Sequence, residues 1–202
     1  GYGQLVMTNI QSVHKEYGVE IVAAEKFEVA ATDVSTQAAK VRAAQPEVVG
    51  VIATSPVPFR NARQVRITQP IVSAVGSSSY EYVKGMGEFA DEIVFAEFIV
   101  AEDPLPHQKE FGEYFQKEKG ALPKTYDAAG WDAVHVLAQA LDKAGPDAGG
   151  EAIAAAIRTP YRGVIAQYDF AAADMTGIGL ESYTYSKLVK GRFTRLPFKA
   201  GK

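Results

Sequence analysis

Three histidines, His14, His107 and His135, are the only imidazoles in the sequence, and none stands at metal-ligand spacing from a second histidine or a carboxylate pair. His14 and His107 read as solvated helix residues. His135 follows Trp131 by one helical turn, so it either flanks a pocket or is a half-buried structural histidine. There is no Gly-x-Ser-x-Gly elbow, so a serine hydrolase would lack its nucleophile. The sequence has no cysteine, which excludes disulfides, Cys-zinc sites and a thiol nucleophile. "GMGEFA" and "GYGQ" lack the third glycine and the preceding strand of a dinucleotide-binding loop. Carboxylates are plentiful, but their spacing pairs no two of them. No enzyme, cofactor or metal is therefore expected. What remains are two hydroxyl-rich segments, "ATSP" (53–56) and "VGSSS" (75–79), each directly after a short apolar run. Their hydroxyls and backbone N–H groups suit a small polar or anionic ligand. The alternative is that Thr54 and Ser77 only cap the helices that follow.

The elements that would carry these loops alternate along the chain. Tyr2, Leu5, Val6, Ile10, Val13 and Tyr17 fall at helical spacing, Gly18 supplies a positive-φ stop, and Val19, Ile21 and Val22 begin a strand. Asp33 or Ser35 is the cap of a helix "VSTQAAKVRAAQ" whose Val34, Ala38 and Val41 share a face, and Pro46 stops it. "EVVGVIA", "PIVSAV" and "DEIVFAEFIV" read as buried strands. "TSPVPF" reads as a loop, and "RNARQVRI" as a short helix whose arginines make a solvated face. Such alternation of strand and helix predicts an α/β fold, a doubly wound parallel sheet. In such a sheet ligands bind outside the carboxyl ends of the strands, which is where Thr54, Ser55 and Ser77 fall.

Past "AEDPLPHQ" the character changes. "HQKEFGEYFQKEKG" is amphipathic, and "YDAAGWDAVHVLAQALDKAG" is the longest helix, with Val134, Leu137 and Leu141 as its expected buried stripe. "GGEAIAAAIRT" is one more short helix, followed by strands "AQYDF", "ESYTYSKLV" and "RFTRL", the last two joined by a turn at Gly191. The chain thus begins inside a helix, and its second half carries helices with few strands for them to cover. Hydrophobic residues make up 47% and charged residues 22%, ordinary globular values, and the net charge of −3 gives no electrostatic reason to expect nucleic acid.

These pieces, in this order, resemble the branched-chain amino-acid type of periplasmic substrate-binding protein, the soluble receptor of an ABC importer. The resemblance rests on "YGQ" opening a helix, "TDVSTQAAKVRAAQPEVVGV", "YDAAGWDAVHVLAQALDKAG", the Gly, Tyr-Asp and Asp-x-x-Gly elements of "YRGVIAQYDFAAADMTG", and the hairpin "YSKLVKGRF". It implies the type I periplasmic-binding-protein fold, two doubly wound lobes joined by three crossings with ligand clamped between them. Laid against that pattern, residues 1–98 would be lobe two without its first strand, 99–180 the returning part of lobe one, and 181–202 the strands crossing back. The N-terminal part of lobe one would be missing, and a homodimer is the expectation if such a fragment is stable.

The resemblance also carries site residues: Tyr2 near the first helix start, Thr54 or Ser55 after the second strand of lobe two, Val75, Gly76 and Ser77 after the third, and Trp131 on the long helix, with Tyr126 a weaker candidate. Tyr2 and Trp131 also have plain readings, as an exposed end and a core aromatic. The sequence departs from the family at Val75, near which amino-acid-binding members place a carboxylate for the ligand's ammonium. No Asp or Glu occurs between Glu47 and Glu81. The implied function is capture of a small organic solute in the periplasm and its delivery to an ABC permease. A carboxylate, aromatic acid or amide is expected rather than a branched-chain amino acid. A ligand-sensing regulator on the same fold, resembling an amide sensor, is the alternative.

Overall fold

The computed structural model describes residues 1–171 and 176–197. Asp174 of the Asp-x-x-Gly element lies outside them. The chain divides into two compact units, one made of Gly1–Ala96 with Lys187–Gly191, the other of Glu97–Ser186 with the chain from Arg192 on.

Unit 1 is built on short parallel strands β1 (Val49–Val51), β2 (Ile71–Ser73) and β3 (Ile93–Glu97), in register Val49↔Ile71 and Ile71↔Ile93. The full sheet order is β1-β2-β3-β6-β7, where β6 is Thr184–Val189 and β7 is Arg192–Arg195. The parallel strands are linked by helices, as the alternation requires, and Ile71, Ile93 and Phe95 are fully buried. Helix α1 spans Tyr2–Val13, α2 Ser35–Ala43, α3 Val57–Gln64 and α4 Tyr80–Met86. In α2, Val34 and Ala38 are buried as the spacing predicts. Its N-terminus is satisfied twice: Asp33 Oδ1 accepts from the Ser35 N–H at 2.7 Å, and Asn61 Oδ1 of α3 accepts from the Val34 N–H at 2.8 Å. The first contact holds the Asp33 carboxyl below its ordinary pKa.

Three expectations in unit 1 are corrected. Residues 19–28 form no strand, although Ile21, Ala23, Glu25 and Phe27 are half-buried in alternation with exposed neighbours. The strand-like periodicity is real, but a strand also needs a ladder partner, and the described residues supply none. Helix α3 begins at Val57, inside the segment read as loop. Prolines suggested a break there, yet Pro58 sits in the first turn, where a missing N–H costs nothing. The arginines of "RNARQVR" are not simply solvated. Arg63 donates to the Ile67 and Gln69 carbonyls, the latter at 2.9 Å, and Arg60 to the Gly85 carbonyl at 3.3 Å.

Unit 2 is dominated by helices α5 (Lys109–Lys119), α6 (Thr125–Ala144) and α7 (Gly150–Ile157), with a small antiparallel pair β4 (Tyr161–Arg162) and β5 (Gln167–Tyr168). Its core gathers Ile99, Phe111, Ala128, Val136, Val164, Ile165, Ala166 and Tyr168. Gln108, buried just before α5, crosslinks three segments: its amide donates to the Phe98 and Val164 carbonyls, both at 3.0 Å, and accepts from the Leu105 N–H. Helix α6 ends at Gly145, φ +95°, just ahead of Pro146. Its expected buried stripe is exposed instead: Val134 is 66%, Leu137 46% and Leu141 40% accessible. The face that packs is Ala128, Asp132, Val136 and Ala140. Helical spacing allowed both faces. Small residues let α6 come close to its neighbours, and the polar Asp132 is admitted because its partners come with it. Between β6 and β7, Lys190 at φ +52° and Gly191 at φ +75° form the turn, as a two-residue hairpin requires.

Candidate ligand-binding edge

Thr54 and Ser55 follow β1, and Val75, Gly76 and Ser77 follow β2, so both segments lie at the carboxyl ends of adjacent parallel strands. Thr54 is exposed, Ser55, Val75 and Gly76 are half-buried, and Ser77 is buried. Gly76 adopts φ +96°, a left-handed conformation that lets the chain turn sharply off the strand. Capping does not explain the hydroxyls. The cap of α4 is Ser79, whose Oγ accepts from the Tyr82 N–H at 3.1 Å, and α3 has Pro56 at its N-cap position with no side-chain cap. Neither Thr54 nor Ser77 caps these two helices.

A residue outside the sequence candidates ties the two segments together. Tyr82, on α4, places its hydroxyl 2.6 Å from the Ser55 carbonyl and 3.0 Å from the Ala53 carbonyl. The same phenol hydrogen-bonds the side chain of Ser77, and burial raises its pKa above the ordinary tyrosine value. Its ring meets Phe59 edge-on at 6.0 Å. Helix α4 approaches this closely because Gly85 has no side chain, since a Cβ there would lie 2.5 Å from Pro56 Cγ. The sequence signal for Tyr82 was faint, a tyrosine beside Val83 and Met86 on a short helix, whose half-buried hydroxyl had to find a partner. Tyr2 is 50% exposed in the first turn of α1, and its neighbour Gly3 lies against Ile52, at the end of β1.

In unit 2, Trp131 is half-buried in an aromatic group, with ring centroids 5.3 Å from Phe111, 5.0 Å from Tyr114 and 4.4 Å from His135, on which it stacks. His135 is thus half-buried, and its Nδ1 lies 3.0 Å from the Trp131 carbonyl. Tyr126 is 69% exposed. The neighbouring Asp132 is fully buried. Its Oδ1 accepts from the Val164 N–H at 2.7 Å, and its Oδ2 accepts from the Ile165 N–H at 2.9 Å and the Tyr168 hydroxyl at 3.0 Å. Gly163 permits the approach, because a Cβ there would lie 2.5 Å from Asp132 Oδ2. The motifs "GWDA" and "YRGVIAQYDF" are therefore two halves of one clamp. Burial first, and then the Asp132 charge, raise the Tyr161 phenol above its ordinary pKa and push Tyr168 well above the usual tyrosine range. A separate depression lined by Glu151, Ala154, Ile157, Arg158 and Phe170 includes none of the candidates.

Among the described residues no group of three or more histidines, cysteines or carboxylates could hold a metal ion, and no helix is long and apolar enough to cross a membrane. At unit 1, hydroxyls and backbone amides at two adjacent strand ends are braced by the Tyr82 phenol.

Residues 1–182 match the sequence model of the periplasmic binding protein family. No curated protein matches the chain. Among solved structures it is similar to an extracellular ligand-binding receptor from Rhodopseudomonas palustris, with TM-score 0.86, 21% identity, and coverage of 96% of this chain and 60% of that one. It is likewise similar to the leucine-binding protein LivK of Thermotoga maritima, with TM-score 0.83, 21% identity, and coverage of 99% and 57%. A third is an ABC transporter substrate-binding protein from Desulfitobacterium hafniense, with TM-score 0.70, 25% identity, and coverage of 96% and 57%. The chain spans 57–60% of the length of these three structures.

Proposed function

This chain belongs to the periplasmic binding protein family, and on that premise we propose that it captures a small organic solute outside the cytoplasm and hands it to the permease of an ABC importer, without chemistry. Unit 1 corresponds to lobe two and contributes the edge formed by Thr54, Ser55, Val75, Gly76 and Ser77, with Tyr2 beside it. Unit 2 corresponds to the returning part of lobe one, and Trp131 and Tyr126 are its contributions. The names of two similar structures, a leucine-binding protein and an ABC substrate-binding protein, support the receptor role.

One observation carries the ligand class: two adjacent strand ends present hydroxyls and amides with no carboxylate from Val48 to Tyr80. A carboxylate, aromatic acid or amide finds donors there. A zwitterionic amino acid brings an ammonium for which this edge holds no counter-ion, and an unpaired buried cation costs several kcal/mol. The test is a thermal-shift screen of the full-length protein that carries this chain against amino acids, aromatic acids, short carboxylates and amides. A ligand at a hundredfold excess over its Kd stabilises the folded state by about 2.7 kcal/mol. The expected result is stabilisation by an acid or amide. Stabilisation by leucine, isoleucine or valine with none from the acids or amides overturns the ligand class, and stabilisation by nothing in the panel overturns the receptor reading.

A further inference from the structure

Tyr82 does more than brace the edge. Its hydroxyl lies within hydrogen-bonding distance of two carbonyls of the same turn, Ser55 at 2.6 Å and Ala53 at 3.0 Å, 27 and 29 residues earlier in the chain. A phenol has one proton to give, so the two carbonyls share it. Both carbonyls therefore converge on a single point, and the phenol oxygen fills that point. The residue is half-buried, held by Phe59 on its ring and by Ser79 on its backbone N–H, so the hydroxyl is not free to swing away. Backbone carbonyls are the acceptors this loop could turn toward an ammonium, in the absence of any carboxylate between Glu47 and Glu81. Tyr82 engages two of them.

We infer that Tyr82 is a specificity-determining residue of the unit 1 edge: by drawing the Ala53 and Ser55 carbonyls onto its hydroxyl, it withdraws two of the acceptors an ammonium would need and tilts the edge toward donors, which favours acids and amides. This inference rests on the ligand-binding reading of that edge. Phenylalanine in place of Tyr82 keeps the ring against Phe59 and releases both carbonyls, together with the Ser77 hydroxyl that bonds the phenol, so it acts on the balance of donors and acceptors and not merely on the presence of a site.

The test uses two probes with the same carbon skeleton, L-leucine and 4-methylpentanoate, which lacks only the α-ammonium. Each is titrated into the isotope-labelled 202-residue chain, and dissociation constants are read from the amide signals of Thr54, Ser55 and Ser77. The wild type is expected to bind 4-methylpentanoate more tightly. In Tyr82→Phe the ratio of the two constants is expected to move toward leucine by about tenfold, the scale of one hydrogen bond to a charged group. A purely structural defect weakens both probes together and leaves the ratio where it was. Should Tyr82→Phe lose its fold, Tyr82→Met repeats the loss of the hydroxyl with a side chain that fills irregular space. A ratio within about twofold of the wild type in the folded variant overturns the inference and leaves the ligand reading intact. A wild type that prefers leucine, or whose edge amides respond to neither probe, overturns the ligand reading and this inference with it.

Discussion

Replacing Asp132 by asparagine should cost unit 2 a large share of its stability. The carboxylate is fully buried and accepts three hydrogen bonds, from the Val164 N–H at 2.7 Å, the Ile165 N–H at 2.9 Å and the Tyr168 hydroxyl at 3.0 Å. Asparagine matches the shape but offers one oxygen and an NH₂ group. If its oxygen faces Ile165 and Tyr168, the NH₂ faces the Val164 N–H, donor against donor. One charge-assisted bond is then lost, about 1.5–3 kcal/mol, and a buried amide is left unsatisfied at about 1–3 kcal/mol. The bonds that survive also weaken, because their acceptor is no longer charged. The sum is about 2.5–6 kcal/mol, against about 5–15 kcal/mol for a whole domain. Tyr168→Phe removes only one of the three donors and should cost about 1–2 kcal/mol. Urea unfolding followed by far-ultraviolet circular dichroism reads both, and a loss of that size moves the Asp132→Asn midpoint by about 1–3 M. Amide hydrogen exchange at Val164 and Ile165 should accelerate in parallel. An Asp132→Asn protein within about 1 kcal/mol of the wild type, or one more stable than Tyr168→Phe, would falsify the clamp.

Other outcomes follow from the same geometry. Gly163→Ala drives a methyl to 2.5 Å from Asp132 Oδ2 and 2.7 Å from Tyr168 Cε2, and should cost about 1–3 kcal/mol by denaturant titration, whereas a neutral effect would mean the loop has room to shift. Tyr161 and Tyr168 titrate higher folded than unfolded, so their contribution is intact below the unfolded value of about 10 and is lost as pH rises from there toward the folded values. The melting temperature should therefore fall steeply above about pH 10, less steeply in Tyr168→Phe, and identical slopes would count against the assignment. Asn61→Ala removes the acceptor for the Val34 N–H and should destabilise by about 1–2 kcal/mol, while Asn61→Asp, which keeps it, should recover most of the loss. Val134→Lys on the exposed face of α6 should change stability by no more than about 0.5 kcal/mol, and a loss of several kcal/mol would restore that face to a packed interior.

Local signals were read correctly where the cause is local. Gly145 before Pro146 ends α6, Lys190 and Gly191 turn the hairpin, and the apolar runs at Val49 and Ile71 became parallel strands in register. Reading failed where two answers satisfy the same period or where the partner is distant. Val134, Leu137 and Leu141 outrank Ala128, Asp132, Val136 and Ala140 in hydrophobicity, so the sequence pointed to that stripe for burial, whereas within this chain it is the other face that packs. What buries Asp132 stands 32 to 36 residues away, beyond any window of spacing. At the candidate edge, strand order alone placed Thr54, Ser55 and Ser77 at carboxyl ends. Which residues cap the following helices was not legible: Ser79 caps α4, and no side chain caps α3. The signal for Tyr82 was faint because nothing near it in sequence announces its two carbonyl partners.

The packing of Trp131 gives the molecule an intrinsic optical label. It is the only tryptophan in the chain, and it lies in unit 2. Excited near the red edge of tyrosine absorption, the protein emits from one indole stacked on the His135 imidazole and 5.0 Å from the Tyr114 ring. Separation of α5 from α6 moves that indole into water and shifts its emission to longer wavelength. The α/β unit that carries Thr54, Ser77 and Tyr82 has tyrosines but no indole, so it contributes nothing to that band. Intensity and colour at the red edge therefore report one unit alone. A change in that light on adding solute would have to originate around Trp131, and melting of the α/β unit by itself would leave it dark to this probe.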